Sequence, residues 1–546
     1  MTIRFLAASL LVVGMAAGQS TSFPRPSYFR EVFGSRNTHV DLRDPVKLRD
    51  FIVQDRLGLS LKSYLELVMA NNTDIQLQFL TLETPKNAIT RAFATWDPTA
   101  SASFSSTRAS SPAVTALAGA NTTITLSQPA SFSFSELLPT GTQYNVSYSA
   151  VKSTTNSSFA TLNPSLSSAM TFSFSQPLLR NRGAYINRMN LMIAKSRLRI
   201  SESTLRNSVI QLISNAENVY WDLVQARENL RVAQNAKKLA DDSLALSQRE
   251  LDLGAISPLD IYNPQQQVAN AELGVSQARF ALAQAENAVR KQIAADLDPE
   301  VRRLPIEVTE SVDTVDTGSL DPEREVETAL RTRSDLKATL QSLDVDDMQI
   351  RQSRNEILPN MALTGSYSTQ GVGGNVYQTF IDPVTGVRTA VAAAPGGYGD
   401  ALSQMFGFGY PVYSFGLTLS LPVRNRAAVA DMADSMVQKR RDALNLRNSR
   451  QQIRLSVLDA VNNVESSKES LKLAMVARDF AAKYLDAENQ KFTLGSEPMQ
   501  FVLQAQTQLS QAESAVVQAR VGLKRNLLNL LTQTGELLDQ RGIVVQ

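Results

Sequence analysis

The chain has 546 residues, 54 basic and 52 acidic side chains, a net charge of +2, no cysteine and one histidine. The absence of cysteine excludes disulfides, cysteine nucleophiles and cysteine-ligated metals, and a histidine-dependent triad would have to use His39 alone. The balanced charge gives no electrostatic reason to expect nucleic acid as a partner.

In chain order, Arg4 precedes an apolar run from Phe5 to Val13 and the small residues Gly14, Ala16, Ala17 and Gly18. This pattern predicts a secretory signal over 1–18, cleaved near Gly18-Gln19. With no cysteine after it, a lipoprotein anchor is not available. No later run reaches the roughly 18 apolar residues of a transmembrane helix, which leaves a soluble extracytoplasmic chain or an outer-membrane β-barrel. Residues 19–58 carry Pro24, Pro26 and Pro45 among scattered charges, and are expected to form an extended periplasmic arm with His39 on its surface.

A first unit is expected over 59–295. Leu61, Leu65, Val68 and Met69 recur at helical spacing, Asn71 to Asp74 interrupt, and helix resumes from Ile75 toward Trp96, with Pro85 predicted to kink it. From Thr99 to Pro177 the texture becomes strand-like. Ser101–Ser106, Thr122–Ser127, Ser131–Ser135, Gln143–Val151 and Met170–Ser175 alternate small polar with apolar residues, and two of these runs carry phenylalanine at every second position. Period two, with apolar residues toward lipid and polar ones toward a lumen, is what a membrane barrel requires. Pro139 to Thr142 reads as a turn, so the first unit holds two to four strands.

A long rod follows, from about Gly183 to Leu253. Leu205, Val209, Leu212, Ala216, Val219, Leu223, Ala226, Leu230 and Ala233 alternate steps of four and three, the seam of a coiled coil. About 70 residues at ~1.5 Å each give a rod of about 105 Å. After Gly254 a return helix is expected to start with Ser257 as N-cap and Pro258 at its first position, running to about Ala295. Residues 296–322 read as an acidic, proline-containing linker with Ile306 to Val308 as a short strand.

A second unit is expected over 323–531. A shift of 241 positions carries the seam onto Leu446, Ile453, Val457, Ala460, Val464, Leu471 and Ala474, with Arg450 and Ser467 breaking it. Leu253-Gly254 maps onto Leu494-Gly495, and Gln277-Ala278-Arg279 onto Gln518-Ala519-Arg520. The chain therefore reads as a duplicated helix–strands–long helical hairpin unit. Helix is predicted from Pro322 to Leu358, strands over Met361–Thr369 and Val412–Leu421, and an exposed loop over Gly371–Gly409. Residues 532–546 are a short tail.

Leu59-Ser60-Leu61 with Asn72-Thr73-Asp74, Arg333-Ser334-Asp335-Leu336, Leu358-Pro359, Gln176-Pro177-Leu178-Leu179 and the tips Leu253-Gly254 and Leu494-Gly495 together resemble a TolC-family outer-membrane efflux protein. The resemblance implies a mixed α and β fold: a homotrimer whose β-barrel spans the outer membrane and continues as a periplasmic α-helical coiled-coil barrel. It implies an exit duct for efflux or type I secretion, docked to a periplasmic adaptor and an inner-membrane pump and surrounded by outer-membrane lipid, with no cofactor, no bound metal and no enzymatic chemistry. The tips Leu253, Gly254, Ala255, Leu494, Gly495 and Ser496 would dock the adaptor. Family members carry acidic residues six and nine positions after the second tip glycine; here those positions are Phe501 and Gln504, and Asp260 and Asn263 in the first unit. The expectation is an entrance held by polar links near Asp260 and plugged by Phe501. Against the duct stands an extracytoplasmic coiled-coil structural or adhesin protein, which would explain the rods but not the rod–tip–rod plan with strands between helices.

Overall fold

The computed structural model describes residues 48–53, 56–113, 120–296, 298–299, 301–309, 318, 320–381, 383–384 and 388–544. The predicted signal, most of the arm and His39 lie outside the described residues.

The end of the arm is structured rather than extended. After a short 3-10 turn at Leu48–Phe51 come β1 (Ile52–Val53) and β2 (Arg56–Leu59). β2 pairs in parallel with β8 (Ile306–Val308), Leu57 against Ile306 and Leu59 against Val308. Leu57 and Leu59 alternate inward and are fully buried, so the expected arm is corrected here: its last strand belongs to the core. The linker strand expected at Ile306 to Val308 is present.

Helix α1 (Leu61–Asn71) opens on a reciprocal cap between Ser60 and Ser63. Helix α2 (Thr73–Leu80) opens on Asn72, whose side-chain oxygen accepts from the Asp74 and Ile75 amides at 2.8 and 3.3 Å. Helix α3 (Glu83–Phe93) follows. The break falls at Thr81-Leu82 rather than at Pro85. Pro85 sits in the first turn of α3, where a missing N–H leaves no helical bond unmade.

The large sheet contains β3 (Thr99–Phe104), β4 (Thr107–Pro112), β5 (Thr122–Leu137), β6 (Gln143–Thr155), β7 (Leu162–Pro177), β9 (Asn360–Ile381), β10 (Arg388–Ala394) and β11 (Tyr410–Ser420). β3 and β4 share one edge, each pairing with half of β5. β10 and β11 share the other edge, each pairing with half of β9. The sheet thus has six strand positions, in the order β3/β4, β5, β6, β7, β9, β10/β11. Thr122–Ser127 and Ser131–Ser135 are parts of one strand, and β4 was not anticipated. The Pro139 turn is a tight hairpin, with Gly141 at φ 90 beside the Asn181 carbonyl.

The predicted exposed loop over Gly371–Gly409 is a misreading. β9 runs on to Ile381, β10 returns along it, and helix α9 (Tyr398–Phe406) packs on the sheet with Ala401 and Met405 fully buried. Glycine here marks close backbone approach, not looseness: a Cβ on Gly371 would lie 1.8 Å from the Ala401 carbonyl oxygen.

The helical part holds α4 (Ala184–Asn187), α5 (Met189–Asp252), α6 (Tyr262–Gln292), α7 (Pro322–Thr332), α8 (Ser334–Glu356), α10 (Arg426–Thr493), α11 (Met499–Thr534) and α12 (Leu537–Gln540). At about 1.5 Å per residue the 64-residue α5 and 68-residue α10 are rods of about 96 and 102 Å. α6 folds back along α5, α11 along α10, and α11 also packs on α5. Predicted seam residues Leu205, Val209, Ala216, Leu223, Leu446, Ile453, Val457 and Val464 are buried. α5 buries a second row, Ile213, Tyr220, Trp221 and Val224, because it is flanked by α6 on one side and by α11 and the short helices on the other. The single helix predicted over Pro322 to Leu358 is two, broken at Arg333. Its guanidinium reaches the Gln533 carbonyl at 3.2 Å and the Asp335 carboxylate at 2.7 Å, and a Cβ on Gly535 would lie 3.3 Å from its Cα.

Candidate functional site

Two features can carry function: the faces of the sheet and the tips of the two helical hairpins. Strand pairing in register puts like with like on each face of the sheet. On one face Thr99, Ser101 and Ser103 oppose Ser135, Ser133 and Ser131, and their hydroxyls meet at 2.7, 2.7 and 2.8 Å. Thr171 meets Ser368 at 2.9 Å, and Ser366 meets Ser414 at 2.8 Å. On the other face Phe132 opposes Tyr148, Phe134 opposes Val146, Phe172 opposes Tyr367 and Gly365 opposes Phe415. Phe132, Phe172, Tyr413 and Phe415 stay exposed. One face is a hydroxyl ladder suited to water, the other an apolar band suited to lipid. The alternating Ser/Phe runs were legible as this two-faced pattern before any pairing was known. Among the described residues no helix is long and apolar enough to cross a membrane.

The two tips are built alike. At the end of α5, Gly254 has φ 73, its N–H donates to the Leu251 carbonyl at 2.9 Å, and Ala255 N–H donates to Glu250 at 2.8 Å. At the end of α10, Gly495 has φ 68, with Gly495 N–H to Phe492 at 2.9 Å and Ser496 N–H to Lys491 at 3.0 Å. Both are left-handed helix ends that satisfy the terminal carbonyls. Each then presents a bare leucine: Leu253 is 84% exposed and Leu494 82%.

Beyond the glycines the tips diverge. Helix α6 starts at Tyr262, not at Ser257-Pro258, which corrects the predicted N-cap. Ser257 instead belongs to a turn, its N–H donating to the Asp260 carboxylate at 3.1 Å and its hydroxyl accepting from Leu259 at 3.3 Å. Helix α11 starts at Met499 directly after Pro498. Equal spacing from the glycines therefore gives unequal settings. Asp260 caps its own turn and Asn263 is exposed in the first turn of α6. Phe501 and Gln504 are exposed at the start of α11, where Val502, Leu503, Ala505 and Gln506 are buried. Phe501 lies outside the apolar cluster of Leu485, Val502 and Ala505, and is 38% exposed.

The side-chain links that join the hairpins near the tips were not found from sequence. Gln506 donates to the Ser243 hydroxyl at 2.9 Å between α11 and α5, and Gln267 donates to Thr507 at 3.0 Å between α6 and α11. The Ser247 hydroxyl and the Gln506 carbonyl oxygen are buried there with no hydrogen bond. Polar residues on otherwise apolar rows were the available signal. Beside the second tip, Lys491 contacts Glu488 at 2.8 Å and Glu497 at 3.1 Å. The Lys491 ammonium holds the Glu488 carboxyl below its ordinary value, and the two carboxylates raise Lys491. Among the described residues no group of three or more histidine, aspartate or glutamate side chains is placed to hold a metal ion.

A family model described as outer membrane efflux protein matches residues 141–295 and 326–536. β3, β4 and β5 precede the matched stretch. The chain is similar to outer membrane protein TolC of Escherichia coli (strain K12), 25% identical over 348 residues, 62% of this chain and 64% of that protein. It is 24% identical over 343 residues to outer membrane protein TolC of Salmonella enteritidis, with the same coverage of both chains. The match thus spans a little under two-thirds of the length of these curated relatives. Among solved structures, the fold is similar to the Campylobacter jejuni CmeC outer membrane channel, with TM-score 0.59, 16% identity, and 92% of this chain and 91% of that one covered. It is likewise similar to the open state of the Neisseria gonorrhoeae MtrE outer membrane channel, with TM-score 0.59, 16% identity, and 92% and 94% covered.

Proposed function

The chain belongs to the outer membrane efflux protein family, and from that premise we propose that it is the exit duct of a tripartite efflux or type I secretion assembly. It is an outer-membrane protein with a periplasmic helical part. The observation that carries the reading is the continuity of a two-faced sheet with four long antiparallel helices in one chain. Such a sheet needs lipid on one side and water on the other, and an open sheet exposes unpaired edges. We read the chain as two copies of one unit, and three chains as the assembly that closes the edges, β3/β4 of one copy meeting β10/β11 of the next. Six strand positions from each of three chains make eighteen. With strands about 4.8 Å apart and tilted about 40°, that barrel is about 36 Å across between backbones.

Transport through it is passive. The hydroxyl ladder lines the barrel lumen, and the helices continue the passage through the periplasm. The tips form the entrance, and the exposed Leu253 and Leu494 beside Ala255 and Ser496 meet a periplasmic adaptor that joins the duct to an inner-membrane pump. Gln506–Ser243 and Gln267–Thr507 are the polar links that must part or slide as the entrance opens, and Phe501 narrows it. Together these take the role expected near Asp260, which is engaged in its own turn.

The mass of the detergent-solubilised protein from the outer-membrane fraction is the test, followed by conductance in a planar bilayer. A three-chain species that conducts ions supports the duct. A monomer or two-chain rod in the soluble periplasm refutes it and favours the structural coiled-coil reading.

A further inference from the structure

Helix α9 and the turn after it lie across the apolar face of the sheet, the face the proposed duct turns toward lipid. Four contacts on three strands fix this seat. Ser168 of β7 donates to the Ala401 carbonyl at 3.0 Å, and Thr369 of β9 donates to the Met405 carbonyl at 2.8 Å. The Tyr148 hydroxyl of β6 meets that of Tyr398. The Phe408 ring packs tilted against that of Tyr367 of β9, with ring centres 6.3 Å apart. Tyr148, Ser168, Tyr367 and Thr369 share the face of Phe172 by register.

The helix descends along β9. Its start, Gly397, is beside Gly373; Ala401 is beside Gly371; Phe408 is beside Tyr367. Composition follows the descent. Exposed Asp400 lies high, above Ala401, and Phe406 and Phe408, 64% and 56% exposed, lie low. An apolar band about 25 Å tall, climbed at about 3.3 Å per residue along strands tilted about 40°, takes roughly ten residues. Counted from Met361, the lowest apolar residue of β9, its upper limit falls near Gly371, the level of Ala401. Lys152, on the same face and opposite Leu166, marks the polar zone just above. The helix therefore straddles the boundary with its polar end above and its phenylalanines below.

We propose that α9 is an interfacial anchor: its upper end stands at the headgroups of the outer leaflet, and Phe406 and Phe408 insert among the acyl chains. This rests on the duct reading of the sheet. A second copy is not the occupant, because copies meet at the two sheet edges while α9 covers β6, β7 and β9 between them. Gly371 and Gly373 are the seats that let the helix backbone lie this close.

The chain lacks cysteine, so each substitution to cysteine creates a unique labelling site. Full-length variants Gly399→Cys, Phe406→Cys, Phe408→Cys, Phe172→Cys and Ser133→Cys would be labelled with a small fluorophore in phosphatidylcholine vesicles. The lipids carry bromine near the headgroup end of the acyl chain or near its methyl end. The expected result is strong quenching at 406 by the headgroup-end bromines, strong quenching by bromines deeper in the chain at 408 and at 172, which share the level of Tyr367, and none at 133 or 399. Quenching at 172 without quenching at 406 and 408 overturns the anchor and leaves the barrel standing. Equal quenching at 399 and 408 overturns the descent. No quenching at 172 by either lipid refutes the lipid-facing sheet, and the anchor with it.

Discussion

Replacing Arg541 with methionine leaves a carboxylate buried without its counter-charge. Glu217, in the middle of α5, is 1% exposed. Arg541, just past α12, donates to its two oxygens from Nε at 3.0 Å and from Nη2 at 2.5 Å, and the Trp221 indole adds a third donor at 3.3 Å. Removing one member of a buried pair costs about 3–5 kcal/mol. The Arg541 side chain is 29% exposed, so water reaches its place and the lower end, about 3 kcal/mol, applies. The bond ties α12 to the core, where Leu537 and Leu538 are buried beside Leu59 and Tyr64, so the loss is first felt as local opening of the C-terminal segment. At about 1.4 kcal/mol per tenfold, Arg541→Met should speed amide exchange over residues 537–543 by on the order of a hundredfold, read by mass spectrometry on C-terminal peptides. Glu217→Met with Arg541→Met should recover most of the protection, because neither charge is then stranded. Unchanged exchange in the single variant, or a double variant as fast as the single, would refute the reasoning.

Asp346 on α8 is 5% exposed and faces Asp442 of α10, with Lys439 engaged by Asp347 at 2.6 Å. Burial, then the Asp442 carboxylate, push its pKa up to about 6 from the ordinary 3.8. The folded state holds this proton more tightly, so its stabilising contribution is present below about pH 4 and lost as pH rises through about 6. Asp346→Asn should therefore raise the unfolding free energy at about pH 8 by on the order of 3 kcal/mol, seen as a higher denaturant midpoint, with the gap closing toward about pH 4. Equal midpoints at the higher pH would count against the buried carboxyl. Thr171 and Phe172 are neighbours on opposite faces of β7. A lysine at 172 should cost about 2–4 kcal/mol in lipid and depress the yield of outer-membrane assembly, whereas one at 171 should be tolerated. Equal yields would refute the assignment of faces. Phe501→Ala should raise single-channel conductance if the ring narrows the entrance, and an unchanged value removes it from the gate.

Features set by local period and local backbone are legible in the chain without knowledge of any partner. Ser131 to Ser135 and Thr171 to Ser175 declared a two-faced strand because side chains alternate every residue, whatever the partner strand. The seams beginning at Leu205 and at Leu446 declared long paired rods, because a 3.5-residue repeat keeps one apolar stripe facing a partner helix. Gly254 and Gly495 marked both tips, because a helix end turning left-handed favours glycine. The site residues chosen by counting from those glycines were less legible. Asp260 and Phe501 are equally spaced from their tips, yet one sits in a turn and the other on a helix, since the start of the return helix depends on how each loop folds. The extent of β9, the seat of α9 on Gly371 and Gly373, the break at Arg333 and the pairing of Glu217 with Arg541 depend on long-range packing. Each is set by a backbone or charge that lies far along the chain, such as Gln533 for Arg333 and Ala401 for Gly371. No window of neighbouring residues contains both partners, so no local period could announce them.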